Sequence, residues 1–237
     1  MKSKSKHLKQ KQIKSNDNKP TIVVENSEKI NAELLYWQTR KSVEGELTNN
    51  NKHYVNFYTN YFNLDFNYYK NKKILDIGCG PRGSLEWADM AKERIGLDPI
   101  ADLYLKLEAS KHKMKYIKAG CENIPFSNNH FDIICSFNSL DHVDNLEKSI
   151  LEIIRVLKSD GIFLLITDVN HKPTSCEPIY FSFDVVNKFM PQFSLLSKNH
   201  YEKKAGGTYQ SILQNIPYDE KNESDRYGIL TAKFQKK

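Results

Sequence analysis

The sequence predicts an α/β fold built on a doubly wound parallel sheet with helices on both faces. Three observations predict it. From Lys73 onward, short and nearly continuous apolar runs alternate with amphipathic segments, the pattern of parallel strands buried on both faces. The first run, Ile74 to Ile77, breaks at once into Gly78, Gly80 and Gly83. The spacing is G-x-G-x-x-G, that of a buried strand feeding a tight turn whose backbone N–H groups approach a ligand. An acid, Asp98, stands 20 positions after Gly78, close to the roughly 20 residues that separate such a turn from a ribose-binding carboxylate.

Taken in order, residues 27–43 have helical spacing, with Ile30, Leu34, Leu35 and Trp37 along one side. Residues 49–51 read as a break. Residues 53–69 carry eight aromatics at spacings of three and four, which suits a helix packed on something large. Core is the plainer reading of that stripe; a cap over a substrate pocket is the functional one. Residues 21–72 are therefore expected to form an N-terminal helical cap, and 73–237 the ligand-binding domain. Within that domain the strands fall at 73–77, 94–97, 114–117, 131–136 and 162–167. Helices are expected at 84–91, 101–108 and 146–157, the last with Leu146, Ile150, Ile153, Ile154 and Leu157 on one side. Beyond them come a helix at 181–189 and strands at 193–197 and 228–234. The polar connection 199–227 between these strands is long for a compact domain, and such length is often functional.

At 237 residues the chain has enough length to bury a full core. Its net charge of +6 is concentrated in residues 1–20, which hold seven lysines and one acid; the remainder carries 28 basic and 28 acidic residues. A lysine-rich stretch with so few apolar residues is expected to be a disordered basic tail. The neutral body makes nucleic acid an unexpected main substrate. The apolar run 162–166 is far shorter than the roughly 20 residues that cross a membrane, and no apolar segment follows the N-terminal lysines as in a secretory signal. Cys79, Cys121, Cys135 and Cys176 form no C-x-x-C pair, consistent with a reduced, cytoplasmic compartment.

The order of motifs resembles the class I S-adenosylmethionine-dependent methyltransferases of the type 11-like group. The resemblance rests on Leu-Asp-Ile-Gly-Cys-Gly (75–80), Gly-Leu-Asp-Pro (96–99), Asn-Ile-Pro-Phe (123–126), the segment 131–143, and Glu-Ile-Ile-Arg-Val-Leu-Lys-Ser-Asp-Gly-Ile-Phe (152–163). It implies a Rossmann-like, seven-stranded, mostly parallel sheet with an antiparallel last strand, and S-adenosyl-L-methionine as cofactor. By position, Gly78, Cys79 and Gly80 would line the methionine part, Asp76 would sit near its ammonium, and Asp98 would take both ribose hydroxyls. The family often has an acid where this chain has Gly120, so either Glu122 or the backbone of Cys121 and Glu122 is left to read the adenine. Asn138, after the fourth strand, completes the expected cofactor set. A dinucleotide-binding oxidoreductase is the competing reading of the glycines; Asp76 and the segments 131–143 and 155–161 disfavour it.

Methyl transfer from a sulfonium is an in-line displacement, so alignment in a dry pocket supplies much of the rate. An alcohol also needs its proton removed, a task for a positioned base such as His. In doubly wound sheets the reacting groups lie beyond the carboxyl ends of the strands, which singles out 138–144 and 168–177. His142 is a candidate base, with packing or helix capping as its structural alternative. Asp141 stands beside it, and Asp144 resembles a helix N-cap. His171 is either a catalytic or substrate-contacting group or a solvent-facing loop residue. Asp141, Asp168 and Asn170 offer the oxygens that hard cations prefer, but without a diagnostic spacing, and no metal ligand is assigned. The expected activity is O-methylation of a sugar, glycan or other small polar acceptor. Its alternatives are an RNA or protein methyltransferase steered by the basic tail, and a non-catalytic binding module on the cofactor fold.

Overall fold

Seven strands form one sheet: β1 (Lys73–Ile77), β2 (Glu93–Asp98), β3 (Lys115–Lys118), β4 (Phe131–Phe137), β5 (Leu157–Val169), β6 (Phe193–Glu202) and β7 (Gly228–Lys236). The computed structural model describes residues 22–45, 47 and 52–237; the lysine-rich stretch 1–20 and the break expected at 49–51 lie outside them. The strand order is β3-β2-β1-β4-β5-β7-β6. Neighbours from β3 to β5 pair in parallel, while β7 runs antiparallel to both β5 and β6. The chain starts in the middle, winds outward through β2 and β3, then crosses to β4. The strand order reverses between β1 and β4, and ligands of open α/β sheets bind beyond the carboxyl ends of the strands at such a reversal.

Both faces are covered, because successive strand residues point to opposite sides. Leu75, Ile77, Ile134, Phe163 and Leu165 pack on the side of α5 (Leu146–Val156), together with Phe181, Phe189 and Phe193. Ile74, Ile133, Cys135, Ile162 and Leu164 pack on the other, beneath the aromatic residues of 54–69 and Ile212 of α6 (Gly207–Gln214). The aromatic stripe is thus a layer of the core. It is not one helix: α2 (Lys52–Tyr58), a 3-10 turn (Asn60–Phe62) and α3 (Phe66–Tyr69) follow one another. Asn63 in the left-handed region breaks the run, and Asp65 restarts it by accepting a hydrogen bond from the Tyr68 N–H.

Two further expectations need correction. Residues 84–91 form turns instead of a helix. Arg94 donates to the Leu85 and Glu86 carbonyls, and the Glu86 carboxylate accepts from the Lys113 and Met114 N–H groups, so side chains satisfy backbone groups that a helix would pair internally. The connection 199–227 is shorter than expected, because β6 runs on to Glu202 and α6 follows. At the start of α5 the capping side chain is Asn145, which accepts from the Lys148 N–H at 2.9 Å, not Asp144. Arg155 on α5 donates to the Ile124 and Phe126 carbonyls and to Glu152, fastening the segment 123–126 to this helix.

Candidate active site

The glycine turn at the end of β1 is fixed by its neighbours. Gly78 has φ +66°, and a Cβ there would lie 2.2 Å from Ser139 Cβ. Ser139 is immovable in turn, since its hydroxyl donates to the Ile77 carbonyl at 2.7 Å and bonds Ser136 Oγ at 2.8 Å. The Gly78 and Cys79 N–H groups point at the Leu97 carbonyl. The Gly80 N–H donates to Asp98 Oδ2 at 3.4 Å, and the Ile100 N–H to Oδ1 at 3.1 Å. Burial pushes the Asp98 carboxyl up to about 7. Asp76, at the middle of the sheet, accepts from Tyr58 Oη at 2.9 Å and from Ser84 Oγ; burial pushes it up to about 6.

Helix α1 (Ile22–Glu44) lies across this turn. The Trp37 ring is 3.0 Å from where a Gly80 Cβ would stand, meets Tyr104 edge-on at 6.4 Å, and donates its Nε1–H to Glu33 at 2.7 Å. Tyr104, on α4 (Ala101–Lys106), has a buried hydroxyl with no hydrogen-bond partner among the described residues. Asp98 accepts from these two backbone N–H groups, and the Tyr104 hydroxyl lies close enough to influence it. The donor set fits a hydroxylated nucleoside, whose hydroxyls satisfy both.

The remaining cofactor candidates have other visible duties. Cys121 is buried in the core on the α5 side, with Sγ 3.9 Å from the Ser149 carbonyl; burial pushes its thiol up to about 12. Glu122 Oε1 accepts from the Asp144 and Asn145 N–H groups at 2.8 and 3.1 Å, so the start of α5 occupies that oxygen. Asn138, left-handed at φ +53°, accepts at Oδ1 from Thr208 Oγ1 on α6 at 3.4 Å.

Beyond β4 and β5 lies a second group of polar side chains. Asp141, in the 3-10 turn Leu140–His142, is fully buried, and neither carboxylate oxygen has a hydrogen-bond partner among the described residues. His171 Nε2 stands 3.4 Å from Asp141 Oδ2, and His171 Nδ1 is 3.1 Å from the Lys172 carbonyl. The Asp141 carboxylate beside it pushes the His171 imidazole up to about 9, against the opposing effect of burial. His171 is therefore no solvent-facing loop residue: it is 4% exposed. His142 Nε2 is 3.6 Å from Glu177 Oε1. Lys29 of α1 donates to the His142 carbonyl and pairs with Asp144 at 2.9 Å.

Asp141, Asp168 and Asn170 do not assemble into one ligand set. Asp168 pairs with Lys203 and accepts from Thr208 Oγ1 at 2.8 Å, and Asn170 bonds Tyr218 Oη and Tyr180 Oη. Asp141 groups instead with His142 and Glu177. Lys203, Thr208 and Tyr104 escape sequence reasoning because no motif marks them. Trp37 had a signal, its place on the apolar side of a helix, but nothing in the sequence said which turn that helix would cover.

A glycine turn and a buried acid at the switch point of such a sheet are the features by which doubly wound α/β domains bind nucleoside-type cofactors. Residues 75–165 match the model of the methyltransferase domain family, so this stretch of the chain is a methyltransferase domain of the class I S-adenosylmethionine-dependent type. It is 30% identical over 96 residues to a malonyl-[acyl-carrier protein] O-methyltransferase of Enterobacter lignolyticus, covering 40% of this chain and 38% of that protein. It is 28% identical over 179 residues to the ubiquinone/menaquinone biosynthesis C-methyltransferase UbiE of Psychromonas ingrahamii, covering 70% and 67%. The chain spans between 35% and 40% of the length of the first three curated relatives it matches. The fold is that of the YcgJ protein from Bacillus subtilis, with a TM-score of 0.53 at 20% identity over 71% of this chain and 93% of that one. The seven-stranded, Rossmann-like architecture with an antiparallel β7 agrees with that domain type. Among the described residues no helix is long and apolar enough to cross a membrane.

Proposed function

We propose that the chain transfers a methyl group from S-adenosylmethionine to a hydroxyl of a small polar acceptor, such as a sugar or glycan. One observation carries this reading furthest. The buried Asp98 with its glycine turn lies at the carboxyl ends of β1 and β2, and the cluster of Asp141, His142, His171 and Glu177 follows those of β4 and β5, the same end of one parallel set of strands. S-adenosylmethionine, when bound, supplies an electrophilic methyl group on a sulfonium. Asp98 accepts the ribose hydroxyls, and Gly78, Cys79 and Gly80 allow close backbone approach to the rest. Asp76 lends negative charge near the ammonium. The backbone of Cys121 and Glu122 reads the adenine, since one oxygen of Glu122 already holds the start of α5. Asn138 lines the cofactor's site toward α6.

On the other side the cluster orients the acceptor and draws off its proton, because a neutral alcohol is a poor nucleophile. His142 is the more open of the two imidazoles, with Asp141 and His171 behind it. Asn170, Tyr180 and Tyr218 add hydrogen-bonding groups at the mouth, which favours a polyhydroxylated acceptor. The relative named for C-methylation supports a second acceptor class, an acidic carbon, which needs the same proton removed. Incubation with methyl-labelled cofactor and a panel of sugars, glycans, phenols, protein and RNA separates these readings. Label in hydroxylated small molecules is expected; label confined to RNA or protein overturns the proposal. Calorimetry with S-adenosylhomocysteine and NAD tests the cofactor separately, and binding of NAD alone would overturn the methyltransferase activity itself.

A further inference from the structure

Asp141 poses a problem that the proton-transfer role leaves unsolved. A fully buried carboxylate ordinarily has hydrogen bonds, an ion pair or a metal, because an uncompensated buried charge costs several kcal/mol. Here neither oxygen has a hydrogen-bond partner among the described residues. His171 Nε2 stands 3.4 Å from Oδ2; Oδ1 has no hydrogen-bond partner among the described residues. Two ring nitrogens beside this carboxylate, His171 Nε2 and His142 Nε2, are likewise buried without a hydrogen-bond partner among the described residues. Glu177 brings a carboxylate to 3.6 Å from His142 Nε2. Asp141, His142 and Glu177 each offer one potential ligand atom, all within 4.8 Å of one another.

The frame around these atoms is rigid. Glu177 and Thr174 bond each other reciprocally, Glu177 N–H to Thr174 Oγ1 at 3.0 Å and Thr174 N–H to the Glu177 carbonyl at 3.0 Å. The Ile179 N–H donates to the Asp141 carbonyl at 3.3 Å, pinning the loop to the turn that carries Asp141 and His142. The His171 Nδ1 contact with the Lys172 carbonyl turns the Nε2 edge of its ring toward Asp141, the arrangement by which a second ring orients a ligating group.

We infer that Asp141, His142 and Glu177 bind one divalent transition-metal ion, of the Mn2+ or Zn2+ class, with His171 as a positioning residue behind Asp141. Neighbouring ligands of a tetrahedral ion at about 2.0–2.2 Å stand roughly 3.4 Å apart. His142 Nε2 and Glu177 Oε1 already stand 3.6 Å apart, and the wider spread of the three, up to 4.8 Å, closes as the side chains draw in on the ion. One imidazole with two carboxylates suits a borderline ion: Ca2+ prefers oxygen alone, and none of the three ligands is a thiolate that would select a soft ion. Three protein ligands leave positions open for a further oxygen. Under the methyltransferase reading, on which this last step rests, that oxygen is the acceptor hydroxyl. Its proton passes to water, its oxygen bonds the methyl carbon, and the electron pair of the broken carbon–sulfur bond stays on sulfur. His142 is then a ligand, and proton removal falls to the ion.

The full chain, stripped with chelator and without cofactor, should bind one equivalent of Zn2+ by calorimetry. It should also bind one Mn2+, read as loss of the free-ion electron paramagnetic resonance signal. Asp141→Asn and Glu177→Gln should each weaken the affinity at least about tenfold, and His171→Asn about 10- to 100-fold while keeping one site. Glu177 is partly exposed, so its variant keeps the test open even where the Asp141 variant fails to fold. Absence of saturable binding, or binding unchanged in both carboxylate variants, overturns the proposal. Titration of the same samples with S-adenosylhomocysteine keeps the two failures apart. Protein that takes the nucleoside but no metal refutes the metal site alone; protein that takes metal but no nucleoside refutes the methyltransferase reading alone.

Discussion

Around Asp98 the site is made mostly of backbone, with the Gly78–Gly80 turn and the Ile100 N–H supplied by residues close in sequence. Around Asp141 it is made of side chains, with His142 from the end of β4, His171 and Glu177 from the loop after β5, and Lys29 from α1 supporting the turn. The difference separates two kinds of requirement. A cofactor shared by many enzymes needs a fixed close approach, which glycine and backbone N–H groups provide. An acceptor needs its own set of side chains, which a loop can vary without touching the sheet.

The largest effect should come from breaking the backbone half. Gly78→Ala places a Cβ 2.2 Å from Ser139 Cβ at φ +66°, and Ser139 is held by two buried hydrogen bonds. The strain and overpacking together should destabilise the protein by about 3 kcal/mol or more. Gly207→Ala is the control, since φ is +90° there but a Cβ meets nothing within 4 Å; it should cost only about 1–2 kcal/mol. Urea unfolding midpoints measure both. Equal losses would mean that the Ser139 contact yields easily and that the turn is less rigid than its geometry.

Next in size is Asp98→Asn. The amide keeps the shape but loses a charged acceptor for the ribose hydroxyls, so S-adenosylhomocysteine affinity should fall about 10- to 100-fold with the unfolding midpoint kept or raised. Unchanged affinity would move the ribose site elsewhere.

The same carboxyl gives the cofactor half a pH dependence. Burial raises Asp98 from its ordinary 3.8 to about 7 and Asp76 to about 6. Each is better tolerated in the ligand-free fold when protonated. Their stabilising contribution is therefore full below about pH 4 and is lost as pH rises through about 6 and then about 7. Under the proposed reading, ribose hydroxyls would donate to the ionised form, so binding would reverse the preference of Asp98. Nucleoside affinity should rise about tenfold from pH 6 to 8 and level off above it, with a proton released on binding. The other titratable groups near Asp98 are Glu33 of α1, Tyr104 of α4 and Cys79 in the turn. Calorimetry in two buffers of different ionisation enthalpy reads the proton, and Asp98→Asn should flatten the profile. A slope that survives in that variant would assign the proton to another group.

The two halves also differed in how far they were legible. The sheet and the turn could be read because strand hydrophobicity and glycine spacing are local, and Asp76, Gly78, Gly80 and Asp98 sit on that local pattern. His142 and His171 could be nominated only as residues beyond strand ends. Which carboxylate each would meet depends on how the loop 170–182 folds back, fixed by Asn170 N–H to the Phe181 carbonyl and Ile179 N–H to the Asp141 carbonyl. Such contacts leave no periodic trace. The helix expected at 84–91 failed for a related reason: Arg94 and Glu86, acting at a distance, hold a conformation that the local residues alone would not choose.

The smallest effect tests whether the halves are mechanically joined. Helix α1 touches both, through Trp37 on Gly80 and through Lys29 on Asp144 and the His142 carbonyl. The Lys29–Asp144 pair is partly exposed, 23% and 60% by side chain, and such pairs contribute about 0–1 kcal/mol. Lys29→Met keeps the aliphatic stem and removes the charge. Global stability should move by less than about 0.5 kcal/mol, while α1 amides should exchange roughly twofold to threefold faster by local opening. Exchange unchanged in α1 would mean that Trp37 alone holds the helix down. A global loss above about 2 kcal/mol would mean that α1 and the turn bearing His142 unfold as one block, and that the cofactor and acceptor halves are a single unit of stability.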